Sequence, residues 1–90
     1  MEELNKLEEY LKAKGIEYER IDETDGFMNH HQIIVYEDGR KAWDAVWNIG
    51  SLCREKGLLE SMGDIVETGD TVEGWLTAQE IIERIERRTK

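Results

Sequence analysis

Asp38 and Gly39 separate two apolar runs of the chain, and this pair constrains the possible folds more than any other feature of the sequence. Asp-Gly between two apolar runs is the strongest short-range signal for a β-hairpin, because a type I′ turn requires a positive φ at both central residues. The sequence therefore predicts two antiparallel strands, roughly at residues 31–37 and 40–48. The cross-strand pairs expected from this turn are Glu37 with Arg40, Tyr36 with Lys41, Val35 with Ala42, Ile34 with Trp43, Ile33 with Asp44, and Gln32 with Ala45.

Periodic patterns predict the elements that precede the hairpin. Leucines with helical spacing predict an amphipathic helix over residues 2–14, and Gly15 is placed to end it. Residues 16–21 begin by alternating between apolar and charged side chains, which is typical of a half-buried strand. The polar stretch 22–29 predicts a loop. Together these segments predict a helix followed by a three-stranded antiparallel meander.

Two helices are predicted after the hairpin. Three leucines and a methionine favour a helix between Ser51 and Met62. The acidic segment 64–73 has few apolar residues to anchor it, and we expect it to be the most mobile part of the chain. A capping box from Thr77 to Glu80 predicts the start of the last helix, because the two side chains can satisfy backbone donors there.

These elements predict a small α+β protein. Ninety residues without a break in composition indicate a single domain, residues 1–90, with a three-stranded antiparallel sheet and the element order α-β-β-β-α-α. The single cysteine, Cys53, excludes an internal disulfide and fits a reducing compartment. The sequence shows neither an apolar run long enough for a membrane span nor a signal peptide, so we expect a cytoplasmic location.

The charge of the chain is acidic and unevenly placed. Twenty-one acidic residues against twelve basic ones give a net charge of −9. Residues 17–25 carry −4 and residues 60–73 carry −5, so these two acidic tracts account for the whole imbalance. Direct nucleic-acid binding is unfavourable because that affinity depends on Lys and Arg at phosphates. The expected partner is a basic surface of another protein.

The carboxylates of the two acidic tracts are the candidate partner-binding residues. The members of the first tract are Glu17, Glu19, Asp22, Glu23 and Asp25, and those of the second are Glu60, Asp64, Glu67, Asp70 and Glu73. The simpler alternative is that the excess of acidic residues only keeps the protein soluble.

The sequence gives little support for catalysis or for a metal. His30 and His31 are adjacent on a predicted strand, so their side chains point to opposite faces and cannot bind one metal ion in regular geometry. One imidazole acting as a general base beside Asp44 or Asp22 is the enzymatic hypothesis, but no paired nucleophile accompanies it. Phosphate-binding glycine loops are also missing, so we expect no cofactor, no catalytic residue and no enzyme activity.

The tryptophans of the hairpin offer an alternative interface. Trp43 and Trp47 are four residues apart and project from one face of the predicted strand, next to Ile34 and Tyr36 of its neighbour. A small domain needs its aromatic side chains in the core, which is the simpler interpretation. The functional alternative is a non-catalytic structural or regulatory homodimer that associates through Tyr36, Trp43 and Trp47.

Several short motifs carry a resemblance to known proteins. They are WDAV at 43–46, GLLE at 57–60, MG at 62–63 and VEGWLTA at 72–78. In these motifs the chain resembles a group of small uncharacterised proteins from phages and mobile elements of Firmicutes-type bacteria, over roughly residues 3–86. No activity is assigned to that group, so the resemblance implies no site residues.

A looser resemblance suggests a testable function. The size, acidity and predicted element order are similar to those of a type II-A anti-CRISPR inhibitor that imitates DNA and occupies the basic PAM-reading cleft of Cas9. The resemblance implies that the carboxylates of both acidic tracts stand in for phosphates and block a basic groove of a host nucleic-acid enzyme. The predicted function is therefore a small acidic protein-binding module and inhibitor, with the homodimer as the alternative.

Overall fold

The protein folds into an antiparallel sheet with two helices, in a computed structural model that describes residues 2–25, 28–48, 59–67 and 72–88; side chains are described for all of these except residues 24, 25, 28, 29 and 48. In chain order, the elements of these residues are α1 (Glu2–Lys14), β1 (Tyr18–Asp25), β2 (Met28–Glu37), β3 (Arg40–Asn48), β4 (Leu59–Gly63), β5 (Val72–Leu76) and α2 (Ala78–Arg88). The strand order in the sheet is the chain order, β1-β2-β3-β4-β5, and every neighbouring pair is antiparallel.

The predicted three-stranded sheet is wrong, although the α+β class is correct: the sheet has five strands, and the described elements follow the order α-β-β-β-β-β-α. Residues 59–62 form strand β4, where a helix was predicted. The apolar spacing of Leu59 and Met62 fits one helical turn, but in the structure Leu59 and Ser61 face the core while Met62 is exposed. A polar residue at a core position hides the alternation that identifies a strand. Residues 51–58 of the predicted helix lie outside the described residues.

Two segments predicted as irregular also belong to the sheet. Residues 22–25 and 28–29 extend β1 and β2 rather than forming a loop. Residues 72–73, at the end of the predicted mobile segment, begin β5. β1 and β5 are the two edge strands of the sheet, and the misassigned residues of β1, β2 and β5 show no clear apolar repeat in the sequence.

The hairpin prediction is confirmed at the turn. Asp38 and Gly39 have φ values of 55° and 77°, the positive values of a type I′ turn, and Glu37 pairs with Arg40 as expected. Beyond this point the predicted register is wrong, because Ala42 is an extra residue in β3. This bulge places Trp43 opposite Val35, whereas the prediction placed it opposite Ile34.

This bulge changes the face of the sheet on which the tryptophans lie. A slip of one residue transfers every following side chain to the other side of the sheet. Trp43 and Ala45 consequently share a face with Val35 and Ile33, and all four are buried. The opposite face receives Ile34, which was predicted to lie beside Trp43.

Both helices pack on the face that carries Trp43. On α1, Glu8 accepts hydrogen bonds from Tyr18 and Arg20 of β1, whereas Arg84 of α2 binds Glu73 of β5. The buried apolar side chains of the described residues are Leu4, Leu7, Leu11, Ile33, Val35, Trp43, Ala45, Leu59, Ile65, Leu76, Ala78, Ile81 and Ile85. The core therefore lies between the two helices and one face of the sheet.

The capping box of the last helix is confirmed. The amide of Glu80 donates to Oγ1 of Thr77 at 3.1 Å, and the amide of Thr77 donates to Oε1 of Glu80 at 3.2 Å. Glu3 of α1 adds a second cap, because its Oε1 accepts a 2.7 Å hydrogen bond from the amide of Ala78. Neither described helix has the length and hydrophobicity that a membrane crossing requires.

Ser61 is the basis of a first prediction. Its side chain is fully buried on the helical face, and its Oγ has no hydrogen-bond partner among the described residues. A buried hydroxyl without a partner costs about 1–3 kcal/mol, so we expect Ser61→Ala to raise the free energy of unfolding by about 1 kcal/mol in urea titrations. A decrease would show that this hydroxyl is paired in solution.

Candidate functional site

The face of the sheet opposite the helices is the candidate functional site, and we refer to it as the uncovered face. Neither described helix packs on it. Glu19, Ile34, Asp44, Met62 and Val72 are successive cross-strand partners from β1 to β5 and form one row of this face. The neighbouring row consists of Ile21, Gln32, Val46 and Glu60. Aliphatic and polar side chains thus alternate from β1 to β4 in both rows, and Val72 of β5 adds a further aliphatic side chain next to Met62.

A shallow depression of about 260 Å³ lies on this face. Val46, Met62 and Val72 contribute apolar walls, and the lining also includes Glu60. The remaining lining residues are His30, Gln32 and Asp44. The depression is predominantly apolar with a few fixed polar groups, which is the usual character of a small recognition site.

A chain of hydrogen bonds fixes the polar side of the depression. Nε2 of His30 donates to Oε1 of Gln32 at 2.8 Å, and Nε2 of Gln32 donates to Oδ2 of Asp44 at 2.9 Å. Asp44 is 2% exposed, and its Oδ1 accepts from the amide of Met62 at 3.2 Å. Lys41 lies 3.3 Å from Oδ2 of Asp44. The carboxylate of Asp44 on β3 thus accepts hydrogen bonds from residues of β2 and β4 and forms an ion pair with Lys41. These contacts fix the three strands relative to one another and make the uncovered face rigid.

The large apolar side chains that the described residues expose are all on β4 and β5. Met62 and Val72 are each 42% exposed, and Trp75 is 51% exposed. We refer to these three residues as the exposed apolar cluster. Trp75 also has a φ of 63° where the β4–β5 register is irregular. A left-handed backbone costs a bulky residue about 1–2 kcal/mol, and strain of this kind concentrates at functional sites.

The first acidic tract lies on β1, an edge of the sheet. Glu17, Glu19 and Glu23 are exposed. Asp22, in contrast, belongs to the helical face, where it binds Arg20 and His31. The hydrogen bond from His31 is the largest influence that lowers the pKa of Asp22, and Arg20 adds to it. The side chain of Asp25 is outside the described set.

The second acidic tract lies on β4, β5 and their connection, and much of it is paired. Glu73 and Glu67 bind Arg84, and Glu67 also binds Arg87. Asp64 is 4.0 Å from Arg88. Asp70 lies outside the described residues, and Glu60 borders the depression.

The structure therefore does not bring the two acidic tracts together. They lie toward opposite edges of the sheet, and three strand spacings separate β1 from β4, about 14 Å. The second tract mainly ties the end of α2 to the sheet. A single anionic surface that contains both tracts is not formed by the described side chains.

The three aromatic residues of the alternative interface, Tyr36, Trp43 and Trp47, do not form one exposed patch. Trp43 is 2% exposed beneath the helices, and half-buried Trp47 packs on the same face, with its ring 5.5 Å from that of His31. Tyr36 is half-buried, and its hydroxyl donates to Glu19 at 3.1 Å. A homodimer built on Trp43 would require the helices to leave the sheet.

The two histidines have different surroundings. His31 is 6% exposed and its Nδ1 donates to Asp22 at 2.7 Å, so it is a buried structural residue. His30 faces the depression and reaches Asp44 only through Gln32. Cys53 lies outside the described residues. Among the side chains that the structure describes, no group of three metal-ligating residues is close enough to bind an ion.

Sequence reasoning missed the exposed apolar cluster. The sequence predicts a helix that ends at Met62 and places Val72 in the acidic segment 64–73. The sequence feature that could have drawn attention to this region is the pair Gly74-Trp75, which lies between Glu73 and Leu76. This pattern does not by itself indicate that the tryptophan is exposed. No protein-family model, no curated protein and no solved structure matches this chain.

Proposed function

We propose that this protein is a non-catalytic binding module that docks on a basic, partly apolar surface of another protein through its uncovered face. The observation that carries the proposal is the exposure of Met62, Val72 and Trp75 on β4 and β5, of which Met62 and Val72 line the apolar depression. Exposed tryptophan and neighbouring aliphatic side chains are typical anchors of protein interfaces. The proposed setting is the cytoplasm of a bacterial cell.

The charge of the uncovered face favours a basic partner. Lys41 is paired with Asp44 and contributes no excess positive charge. Glu19 and Glu23 then make the β1 side of this face negative. A partner with Lys or Arg around an apolar centre is complementary to this arrangement, and the charge would accelerate its approach.

The same charge opposes a homodimer on this face. Two copies would bring the carboxylates of Glu19 and Glu23 toward one another, and each chain already carries −9. Like charges facing each other across an interface disfavour association. We expect light scattering at micromolar concentration to give the mass of a monomer; a stable dimer at low salt would contradict this argument.

The proposal is tested with a defined probe, an acetylated and amidated decapeptide of alternating Lys and Leu. We expect it to bind and to shift the amide resonances of Met62, Val72 and Trp75. Decapeptides of alternating Glu and Leu, or of alternating Lys and Ser, lack one of the two recognised properties and are expected to bind at least about tenfold more weakly. Equal binding of all three peptides, or shifts confined to the helices, would refute the proposal.

Trp75→Asn separates docking from folding. Asn adopts a left-handed backbone more readily than Trp, so the free energy of unfolding is expected to change by less than about 1 kcal/mol. Loss of the indole should weaken decapeptide binding about tenfold or more. Unchanged affinity in this variant would remove Trp75 from the docking surface.

Two double variants that remove the same number of charges test the acidic rim, by which we mean the exposed carboxylates of Glu19 and Glu23 on β1. Glu19→Gln with Glu23→Gln neutralises two carboxylates of the uncovered face, whereas Glu9→Gln with Glu83→Gln neutralises two exposed ones on the helices. We expect only the first pair to reduce the affinity and its dependence on salt strongly. Equal effects would mean that net charge alone attracts the peptide.

The narrower form of the proposal is an inhibitor that imitates DNA at a basic groove, as the anti-CRISPR resemblance implies. Its support is the acidity of the chain and the exposed carboxylates of β1. A direct test measures DNA cleavage by a guide-loaded type II-A Cas9 with and without the protein. Salt-sensitive inhibition that Glu19→Gln with Glu23→Gln relieves is the expected result, and undiminished cleavage would exclude this target.

A further inference from the structure

A second recess lies on the helical side of the sheet, at the end that carries the β2–β3 turn. It has a volume of about 380 Å³, and its lining includes the apolar side chains of Ile16, Val35, Trp43 and Ile85. We refer to it as the end cleft. Val35 and Trp43 are each 2% exposed, so they form a deep floor rather than a surface patch.

The end cleft exists because the helical layer is shorter than the sheet. Helix α1 ends at Lys14, and Gly15, with a φ of 67°, turns the chain toward β1. Helix α2 covers the sheet with Ile81 and Ile85 but then turns charged at its last residues. The floor of core side chains continues beyond the helices that cover it elsewhere.

Charged groups surround the mouth of the end cleft. Glu17, Glu37 and Arg88 contribute to its lining, so carboxylates outnumber cations there. Arg88 is 3.2 Å from Glu37 and 4.0 Å from Asp64, and it is thereby neutralised in part by its own neighbours. Glu17 is exposed and has no ionic partner among the described residues.

One residue, Tyr36, links the end cleft to the β1 edge of the sheet. Tyr36 belongs to the lining of the end cleft, and the Tyr36 hydroxyl donates to Glu19, which is part of the uncovered face. A protein that approaches the β1 edge can therefore contact both sites.

We infer that the end cleft receives one large apolar side chain of the partner, with a basic residue next to it in the partner chain. The apolar side chain fills the space above Val35 and Trp43, and the adjacent cation interacts with Glu17, because Glu37 is already paired with Arg88. This inference rests on the proposed function, because it takes the occupant to be a protein.

Capped dipeptides test this inference without knowledge of the partner. The probes are the acetylated and amidated dipeptides Phe-Lys, Phe-Glu and Ala-Lys, titrated into the labelled protein. We expect Phe-Lys to shift the resonances of Val35, Glu37 and Trp43, with an affinity about fivefold higher than that of Phe-Glu. Ala-Lys is expected to leave these resonances unchanged, because it cannot fill the apolar floor.

Two variants complete the test. Glu17→Gln should abolish the preference for Phe-Lys over Phe-Glu while leaving both dipeptides bound, and it leaves the Arg88–Glu37 ion pair intact. Ile16→Trp should fill the end cleft and eliminate the shifts, and its melting temperature shows whether the variant is folded. Absent shifts at Val35, Glu37 and Trp43, or no charge preference in the unmodified protein, would overturn the inference.

The outcome is distinguishable from failure of the proposed function. If Phe-Lys does not bind while the Lys-Leu decapeptide still shifts Met62, Val72 and Trp75, only the end cleft is rejected. If the decapeptide fails and Phe-Lys still shifts Val35 and Trp43, docking through the uncovered face is rejected.

Discussion

Replacing Glu73 by Gln is expected to lower the free energy of unfolding by about 2–3 kcal/mol, because it breaks a nearly buried ion pair. Glu73 and Arg84 form two hydrogen bonds of 2.7 Å, and their side chains are only 12% and 11% exposed. Without the carboxylate, the guanidinium of Arg84 remains buried with Glu67 as its weaker partner, at 3.3 Å. The expected loss corresponds to a decrease of about 10–15 °C in melting temperature.

A double-mutant cycle in urea measures the pair directly. Arg84→Gln combined with Glu73→Gln should be less destabilising than the sum of the single changes, because each single change leaves a buried charge without its main partner and the double variant does not. Glu83→Gln, on the same helix but exposed, is the control and should change stability by less than about 0.5 kcal/mol. A similarly small change for Glu73→Gln would show that the pair is solvated.

The same ion pair makes stability depend on pH. The hydrogen bonds from Arg84 lower the pKa of Glu73 below its ordinary value of 4.5 in the folded protein. The unfolded chain therefore takes up the proton at a higher pH, so the stabilisation is complete above about pH 5 and is lost as pH falls through the folded pKa. We expect the unfolding free energies of the native protein and of Glu73→Gln to converge at acidic pH.

Gly63→Ala is expected to cost about 3 kcal/mol or more, for two reasons that add. Gly63 has a φ of 94°, which a residue with a Cβ adopts only under strain. An added Cβ would also collide with the carbonyl oxygen of Ala42 and lie 2.8 Å from Cα of Trp43. Both obstacles are backbone atoms of β3, so a rotamer change cannot relieve them.

Gly39→Ala is the matched control. Gly39 has a comparable φ of 77°, but a Cβ there would meet no atom within 4 Å. We expect this variant to cost only about 1 kcal/mol, from backbone strain alone. The difference between the two variants, from urea titrations, reports the close approach of β4 to the bulge at Ala42. Equal costs would mean that β4 does not lie this close to β3.

Gly63 also links stability to the proposed function. Its close approach to β3 sets the position of β4, and β4 carries Met62 of the exposed apolar cluster. We expect Gly63→Ala to weaken binding of the Lys-Leu decapeptide, whereas Gly39→Ala should leave it unchanged.

Because Glu67 and Glu73 of the second acidic tract form ion pairs with Arg84, substitutions at these two residues are unsuitable for testing docking. Neutralising Glu67 and Glu73 would loosen α2, so a loss of binding in such variants would report unfolding rather than recognition. Glu19 and Glu23 on β1 are exposed, and substitutions there test the acidic rim with the core intact.

Local chemistry determined much of this fold from the sequence alone. The Asp38-Gly39 turn, the first helix and the capping box at Thr77 each depend on residues near one another in the chain, and the structure confirms all three. Short-range backbone requirements are legible in a sequence because few competing conformations satisfy them.

Only the tertiary structure decided which surface is exposed. One extra residue, Ala42, reverses the faces of β3 after the turn, and it places Trp43 in the core instead of on an open face. Strand β4 forms because Ser61 and Met62 pair with both β3 and β5, an environment that a five-residue segment does not specify by itself. Pairing across the sheet also places the two acidic tracts toward opposite edges, so their clustering in sequence does not become a cluster in space.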